Sequence, residues 1–282
     1  MCLVVVAWRA HPRYRLIVAA NRDEFHARPA APLGWWEDDR QVLAGRDLQA
    51  RGSWLGLTRS GRFCALTNFR EAAPRREQAP SRGRLVADYL TRRTAPEGYL
   101  RELVRERDQY AGFNLLAGDA ESLHYLSNRD DAVPRRLPAG IHGLSNHLLG
   151  TPWSKLRRTE QALQQLLAEP TVTSSQLLGL LDDRRVDDQH EPSATGLPPE
   201  LERALSAPFV VHPQYGTRCS TAVLVEQDGR TIVCERRFDA SGRESGSTRI
   251  EFTVGGSFGD TPGKPGAAAG TAPAPPHDEW PE

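Results

Sequence analysis

The order of elements along the chain predicts an α+β fold, with largely antiparallel sheets sandwiched between helical layers. Strand-like runs come first, amphipathic helices follow, and strand-like runs then return without regular β–α–β alternation. The strand-like runs come in pairs joined by short turns, which indicates antiparallel hairpins. At 282 residues the chain is long enough to bury the core of one large domain.

Two hairpins are predicted near the start. The first is "CLVVVAWRAHPRYRLIVAANRDEF", with a His-Pro turn, and the second is "GSWLGLTRSGRFCALTNFRE", with its turn at Ser60-Gly61. The stretch between them, which contains "WWEDD", is punctuated by arginine and proline and predicts a loop. "GRDLQARGSWLG" lacks the spacing of a phosphate-binding glycine motif, so it indicates a tight loop before a strand.

Two amphipathic helices are predicted next, in "SRGRLVADYLTRR" and "PEGYLRELVRERDQY", with Ser81 as a candidate N-cap of the first. Their apolar faces carry Leu85, Val86, Tyr89 and Leu90 in the first helix, and Tyr99, Leu100, Leu103 and Val104 in the second. A further hairpin is predicted in "FNLLAGDAESLHYLSN".

The second half of the chain repeats this alternation of segments. "GIHGLSNHLLGTPWSKLRRTEQALQQLLAE" ends a strand and begins a helix, with Thr151 and Pro152 as expected N-cap and first helical residue. Shorter helices are predicted in "SSQLLGLLDD" and "PPELERAL", and a three-strand meander with an Asp228-Gly229 turn follows. We expect one domain over residues 1–258 and a disordered tail, rich in Gly, Pro and Ala, over 259–282.

Charge and hydropathy exclude several classes of function. Lys+Arg and Asp+Glu both number 36, which removes the electrostatic case for binding nucleic acid or anionic membranes. The longest apolar run, "LVVVAW", is too short for a membrane span or a secretory signal, and we expect a cytoplasmic protein. Only Lys155 and Lys264 are lysines, a bias that we attribute to coding preference.

The four cysteines are scattered and form no metal-binding or haem-attachment motif, so no metal site is predicted. Cys2 allows two interpretations. It is either the first buried residue of a strand or, after removal of Met1, the N-terminal residue with a free α-amine. Such an amine has a pKa of about 7.7–8.0, so it can act as a base for the adjacent thiol.

The stretch "ANRDEF" closes the second strand of the first hairpin. The hairpin would bring Arg22 and Asp23 beside Cys2, where a guanidinium favours the thiolate and a carboxylate holds the ammonium. Strand geometry points these two side chains in opposite directions unless the strand bends or ends there. The competing interpretation is a solvated charge cluster at the end of an edge strand.

Other residues also have two interpretations. Trp35, Trp36 and Trp54 line an apolar ligand pocket or belong to the core. The eight histidines include candidate haem ligands, among them His142 and His147 at a predicted strand end.

The motifs resemble those of the NRDE family, also called the transport and Golgi organisation 2 family. The residues that carry the resemblance are Met-Cys at the start, "NRDE", "AGRDLQARGSWLGLT", "ALTNFRE", "SRGRLVADYL", "GFNLLAGD", "LSNHLLGTPWSKL" and "YGTRCSTAVLVE". Members of that family resemble N-terminal nucleophile (Ntn) hydrolases. The resemblance therefore implies an Ntn-hydrolase-like αββα sandwich of two largely antiparallel sheets between helical layers.

The resemblance also implies roles for individual residues. Cys2 stands where cysteine Ntn amidases carry their nucleophile, and Arg22 and Asp23 stand where those enzymes place an arginine and an aspartate beside it. Asn68 and Asn146 are similar to asparagines that orient the amine or donate to the oxyanion. The alternative for both is a turn residue at a strand end. A second set consists of a late arginine near the nucleophile, Arg218, and two ligand-contacting residues, Asn21 and Glu24.

Two classes of function follow from the resemblance. In the first, Cys2 attacks an amide or thioester, no cofactor is required, and the partner is a small-molecule amide. In the second, the same cleft binds and carries haem or an acyl-CoA-like lipid without catalysis. A scaffold without a ligand is a third class, with no support beyond the family name.

Overall fold

The computed structural model describes residues 2–71, 79–187 and 198–255, in which thirteen strands form two sheets with antiparallel pairing throughout. The first sheet has the strand order β10 (Gly140–Leu144), β1 (Cys2–Trp8), β2 (Tyr14–Phe25), β11 (Tyr215–Glu226), β12 (Arg230–Phe238) and β13 (Glu244–Thr253). The second runs β3 (Ala30–Trp35), β4 (Val42–Asp47), β5 (Leu55–Thr58), β6 (Phe63–Asn68), β7 (Phe113–Gly118), β8 (Leu123–Ser127) and β9 (Arg135–Arg136). The tail predicted to be disordered lies outside the described residues.

Helices cover the outer face of each sheet. Helices α1 (Gly83–Thr91) and α2 (Pro96–Val104) pack on the second sheet. Helices α3 (Ser154–Leu166) and α4 (Ser174–Leu180) pack on the first, and a short helix α5 (Pro199–Ala204) follows them in the chain. Apolar side chains of both sheets fill the space between them. The predicted αββα sandwich is confirmed.

Strand β1 shows why its sequence is almost continuously apolar. Val4 and Val6 face the core between the sheets, whereas Leu3 and Val5 face the layer formed by α3 and α4. A strand buried on both faces has no polar alternation. The same alternation continues along β2 and determines where the polar residues at its end point.

The predicted hairpins and the C-terminal meander are confirmed. The loop predicted between the two hairpins is wrong in part: this stretch forms β3 and β4, and only residues 36–41, which include most of "WWEDD", are a loop that joins them. Strand β3 lies at the edge of its sheet, and its pairing shifts register between Ala31 and Gly34. Proline is tolerated at such an edge irregularity, so Pro32 does not prevent the strand.

Two predicted helix caps are also wrong. Helix α1 has Arg82 rather than Ser81 at its N-cap. The N-cap of α3 is Trp153, two residues after the predicted N-cap Thr151. The Thr151 hydroxyl instead donates to the Leu148 carbonyl, 2.7 Å away. That bond belongs to the turn between β10 and the helix. A competing local hydrogen bond of this kind is common for threonine.

None of the helices within these described ranges is long and apolar enough to cross a membrane.

Candidate active site

Cys2 begins β1 and lies directly opposite Arg22 of β2, which in turn lies opposite Cys219 of β11. Directly paired residues of antiparallel strands project to the same face of a sheet. By the alternation of β1, in which Val4 faces the other sheet, that face looks into the space between the sheets. The three side chains are buried where this space opens at the end of the sheet.

Two residues at strand ends of the second sheet orient the Arg22 guanidinium: Trp54, just before β5, and Asp47, the last residue of β4. Its central carbon lies 4.3 Å from the ring centroid of Trp54, and its Nη2 lies 3.6 Å from Asp47 Oδ2. The same Asp47 oxygen accepts a 2.5 Å hydrogen bond from Arg28 Nε. Burial alone would raise the pKa of Asp47, but the bonds from Arg28 and a backbone N–H, together with the Arg22 charge, lower it. Asp47 is therefore an anion that holds both arginines.

Asp23 projects from the opposite face of β2, as strand geometry predicts. Its Oδ1 accepts a 2.7 Å hydrogen bond from the Thr217 hydroxyl, and its backbone carbonyl accepts one of 2.6 Å from Tyr215. Burial raises the pKa of Asp23, against the opposing effects of the amino terminus, Lys155, Thr217 and Arg22. Asp23 thus lies among positive charges, close to the start of the chain.

The Cys2 sulfur lies close to both NRDE charges. Burial raises the pKa of its thiol, and the Asp23 carboxylate acts in the same direction. The positive amino terminus, Arg22 and the backbone N–H of Asp23 oppose this rise. The Cys2 carbonyl is fixed by a 3.2 Å hydrogen bond from the Ser145 hydroxyl. Strand pairing and this bond together immobilise the residue.

A cavity of about 310 Å³ opens beside Cys2. This volume is at the lower end of the range for small-molecule sites. Its charged lining residues include Arg22, Asp23, Glu24, Arg28 and Asp47. Its apolar lining residues include Trp54, Leu66, Leu201 and Leu205. The cavity beside the Cys2 thiol therefore offers both charged and apolar side chains.

The two predicted asparagines meet each other, but only one reaches this cavity. Asn68, the last residue of β6, lines it, and its carbonyl accepts a 2.9 Å hydrogen bond from Asn146 Nδ2. Asn146 follows β10 in the left-handed region, with a φ of 56°, and is 3% exposed. Asparagine adopts this conformation more readily than most residues. Asn146 therefore holds the Asn68 backbone in place through this hydrogen bond and is not among the residues that line the cavity.

Arg218 is the extra residue of a β-bulge in β11, where the register against β2 shifts between Thr217 and Cys219. Its Nη1 donates to the carbonyls of Phe25 and His26, at 3.0 and 2.9 Å. Burial lowers its pKa, and the nearby Arg22 charge acts in the same direction. Arg218 therefore fixes the chain that leaves β2 and is not among the cavity-lining residues.

The structure separates the two predicted ligand contacts. Glu24 lines the cavity, where its Oε2 lies 4.0 Å from Arg28 Nε. Asn21 instead joins β2 to the outer layer, because its Nδ2 donates to the carbonyls of Leu181 and Pro208 at 3.0 and 2.8 Å. Its Oδ1 accepts a 2.6 Å bond from the Ser220 hydroxyl. These bonds occupy the Asn21 amide, and the residue is absent from the cavity wall.

Sequence similarity to known proteins assigns the chain to a family. The model of the family described as Transport and Golgi organisation 2 matches residues 1–240. The chain belongs to the transport and Golgi organisation 2 family. It is 35% identical over 280 residues to the human transport and Golgi organization protein 2 homolog, covering 90% of this chain and 99% of that protein. The mouse homolog is 36% identical over 282 residues, with the same coverage.

Solved structures define the fold of this family member. The C2A mutant of a conjugated bile acid hydrolase from Clostridium perfringens has a TM-score of 0.50 and 8% sequence identity. The match covers 89% of this chain and 92% of the hydrolase. The chain therefore has the Ntn-hydrolase-like fold that its sequence predicts.

Lys155 lies close to the candidate active site, and the sequence did not indicate this. It is 5% exposed and lines a second cavity of about 20 Å³, together with Arg70, Ser145, Asn146 and Trp153. Burial lowers its pKa to about 8, although the negative charges of Asp23 and Cys2 oppose that shift. The available signal was the scarcity of lysine, which we attributed to coding preference.

Within the described ranges, no group of three or more His, Cys, Asp and Glu side chains is arranged to hold a metal ion.

Proposed function

We propose that this protein is a cysteine hydrolase that cleaves an amide or thioester through Cys2 after removal of Met1. The observation that carries the proposal is the pairing of Cys2 with Arg22 at the wall of a cavity of about 310 Å³. The shared Ntn-hydrolase-like fold supports it. The thiol thus lies at the edge of a ligand-sized space and beside a fixed positive charge.

Removal of Met1 is central to the mechanism because burial raises the pKa of the Cys2 thiol. A buried thiol of this kind needs an adjacent base. The α-amine of a processed Cys2 would have a pKa near 7.7–8.0 in water, so roughly a tenth of it is unprotonated at pH 7. In the proposed mechanism Asp23 holds this amine, and Arg22 stabilises the thiolate that forms.

The proposed reaction forms and breaks an acyl–enzyme bond. The amine takes the thiol proton, and Cys2 Sγ attacks the carbonyl carbon of the substrate. The resulting tetrahedral intermediate expels the leaving amine or thiol, which receives that proton, and leaves a thioester on Cys2. Water then attacks this thioester, releases the carboxylic acid and restores the thiol.

The oxyanion of this intermediate needs a hydrogen-bond donor on the cavity side of Cys2. Asn68 lines the cavity and is the better placed of the two asparagines. We assign Asn146 the supporting role, because its Nδ2 already donates to the Asn68 carbonyl.

The mixed lining of the cavity suggests a substrate class. Trp54, Leu66 and Leu201 suit an apolar acyl group, whereas Arg28 and Arg22 suit a carboxylate or phosphate elsewhere on the substrate. N-acyl amino acids and acyl-CoA thioesters have this combination. The fold neighbour is named for hydrolysis of conjugated bile acids, and we extend to this chain only the hydrolysis of an amide or thioester bond to an acyl group.

A direct test uses the protein purified with its native N-terminus. Intact mass shows whether Met1 has been removed, and an acyl-trapping electrophile followed by peptide mapping shows which thiol reacts. We expect labelling at Cys2 before Cys64, Cys219 and Cys234, and hydrolysis of N-acyl amino acids or acyl-CoA that Cys2→Ala abolishes. Cys234→Ala is the matched control, since Cys234 is also buried but lies in the layer facing α4. Retained Met1 would exclude the mechanism.

A second candidate function is non-catalytic carriage of haem or an acyl-CoA-like lipid. The raised pKa of the Cys2 thiol favours lipid carriage, which needs no thiolate, whereas ligation of haem iron by Cys2 would need one. Among the described residues that line the cavity, Cys2 alone has a sulfur or imidazole to offer haem iron. Titration with haemin and with palmitoyl-CoA distinguishes a carrier from a hydrolase. Binding of palmitoyl-CoA that is retained in Cys2→Ala, with no turnover in wild type, favours the carrier.

A further inference from the structure

Lys155 is buried in a place where packing alone does not account for a lysine. It lies in the first turn of α3, next to Leu156, which packs in the core between α3 and the first sheet. Moving an ammonium group out of water costs free energy, and a methionine of similar length would avoid that cost. The residue therefore needs a charged or hydrogen-bonding role.

The surroundings of Lys155 connect it to the candidate active site. The small cavity that it lines is also lined by Ser145, whose hydroxyl donates to the Cys2 carbonyl, and by Asn146, whose amide donates to Asn68. Leu205 lines both this cavity and the larger one. Lys155 thus lies directly behind the backbone that carries the nucleophile.

An acceptor in this small cavity points to the same role. Asn146 is 3% exposed, and its Oδ1 receives no hydrogen bond from any residue in the described parts of the chain. A buried acceptor of this kind is normally satisfied by protein or water. The volume of about 20 Å³ fits a single water. An ammonium has three donors, which suits it to a small polar cavity.

The charged groups that act on Lys155 come from three elements. Asp23 on β2 and Cys2 on β1 supply the negative side, and Arg70, after β6, supplies a positive charge that opposes protonation. Asp23 is also acted on by the amino terminus and by Arg22. Asp23 projects to the helix-facing side of the first sheet, and α3, which carries Lys155, packs on that side. Lys155 therefore acts on this buried carboxylate as a nearby positive charge.

We propose that Lys155 is a positioning residue: from the small cavity behind Cys2, its ammonium keeps the Asp23 carboxylate ionised to hold the Cys2 α-amine. This inference rests on the proposed function, because only a processed Cys2 carries that amine. Lys155 touches no substrate in this role. It acts through Asp23 on the base that takes the thiol proton.

The test is the pH dependence of Cys2 alkylation by iodoacetamide, with the adduct located by mass spectrometry. Wild type, Lys155→Met and Lys155→Arg are compared after intact mass shows that Met1 is absent. Removing a positive charge makes Asp23, the amine and the thiol all bind protons more tightly. We expect the acid limb of the Lys155→Met profile to move to higher pH by about one unit. Lys155→Arg should restore it.

The control is Arg157→Met, which removes one positive charge from an exposed position of the same helix. Its profile should coincide with that of wild type. A reactive wild type whose profile coincides with that of Lys155→Met overturns the role of Lys155 and leaves the proposed function standing. An unreactive, processed wild type overturns the proposed function and the inference with it. If Lys155→Met unfolds, Lys155→Gln is measured in its place, with the same outcomes.

Discussion

Cys2 and Arg22 lie directly opposite each other on β1 and β2, and the guanidinium of Arg22 is stacked on Trp54, the residue before β5. One hairpin register therefore places a thiol beside a positive charge, and a contact with the chain that enters the second sheet fixes that charge. The proposed nucleophile and its electrostatic partner are part of the sandwich itself. They do not depend on a loop for their position.

This relationship predicts the effect of Arg22→Met on the reactivity of Cys2. The Arg22 charge lowers the pKa of a thiol that burial raises, so its removal should raise that pKa further. A rise of one unit corresponds to an alkylation rate about tenfold lower at pH 7. Arg22→Lys should lie between Arg22→Met and wild type, because it keeps the charge but loses the stack on Trp54. Equal rates for Arg22→Met and wild type would contradict this relationship.

A comparison of Asn21→Ala with Asn68→Ala separates a structural residue from a cavity residue. Asn21→Ala leaves two buried carbonyls and the Ser220 hydroxyl without their partner, so we expect a loss of about 2–4 kcal/mol in the free energy of unfolding. Asn68→Ala should change stability by no more than about 1 kcal/mol and abolish turnover. Urea unfolding and steady-state assays measure both. A stable Asn21→Ala with impaired ligand binding would favour the predicted ligand contact.

These assignments show what the sequence could predict about the site. Cys2, Arg22 and Asp23 belong to one hairpin, whose register follows from local alternation and a short turn, so their proximity was predictable. Asn21 shares that hairpin and its direction follows from the same alternation, but its partners, the carbonyls of Leu181 and Pro208, lie about 160 and 190 residues away in the chain. Local periodicity carries no information about such partners.

The fold was predictable to a similar extent. Helix faces and hairpin turns came from local patterns, whereas β3 was missed because an irregular edge strand lacks clear alternation. Its partner β4 is nearly all buried, and such a strand also lacks alternation. Lys155 was missed for a different reason. Its proposed role depends on the packing of α3 against β10 and β1, which brings it near the start of the chain. The sequence of α3 alone indicates only an ordinary amphipathic helix.

Thr217→Val should increase the free energy of unfolding that is lost by burying the ionised Asp23 carboxylate. The folded pKa of Asp23 is raised by burial, so this group lowers stability above its unfolded pKa, and protonation removes that cost as the pH falls. Loss of the 2.7 Å bond from Thr217 should increase the cost, by about 1.5–3 kcal/mol at pH 7.

The difference between Thr217→Val and wild type should therefore narrow as the pH is lowered toward 4.5, in urea unfolding measured across that range. Part of this stability difference should not depend on pH, because the Thr217 hydroxyl also accepts a 2.9 Å hydrogen bond from the Val210 N–H. Thr217→Ser keeps both bonds and should follow wild type. A difference that stays constant with pH would show that Asp23 is not charged in the folded state.

Lys155 should give the folded protein a pH dependence of the opposite sign. Burial lowers its folded pKa to about 8, below the 10.5 of an ordinary lysine. Between these two values the unfolded chain binds more protons than the folded one, so stability contributed by this group rises with pH. The stability of wild type minus that of Lys155→Met should be flat below about pH 7 and rise toward pH 10, by at most about 3 kcal/mol. Guanidinium unfolding of both proteins, with Arg157→Met as the exposed control, measures this difference. A constant difference would mean that the Lys155 ammonium reaches water in the folded protein, and would remove the basis for its action on Asp23.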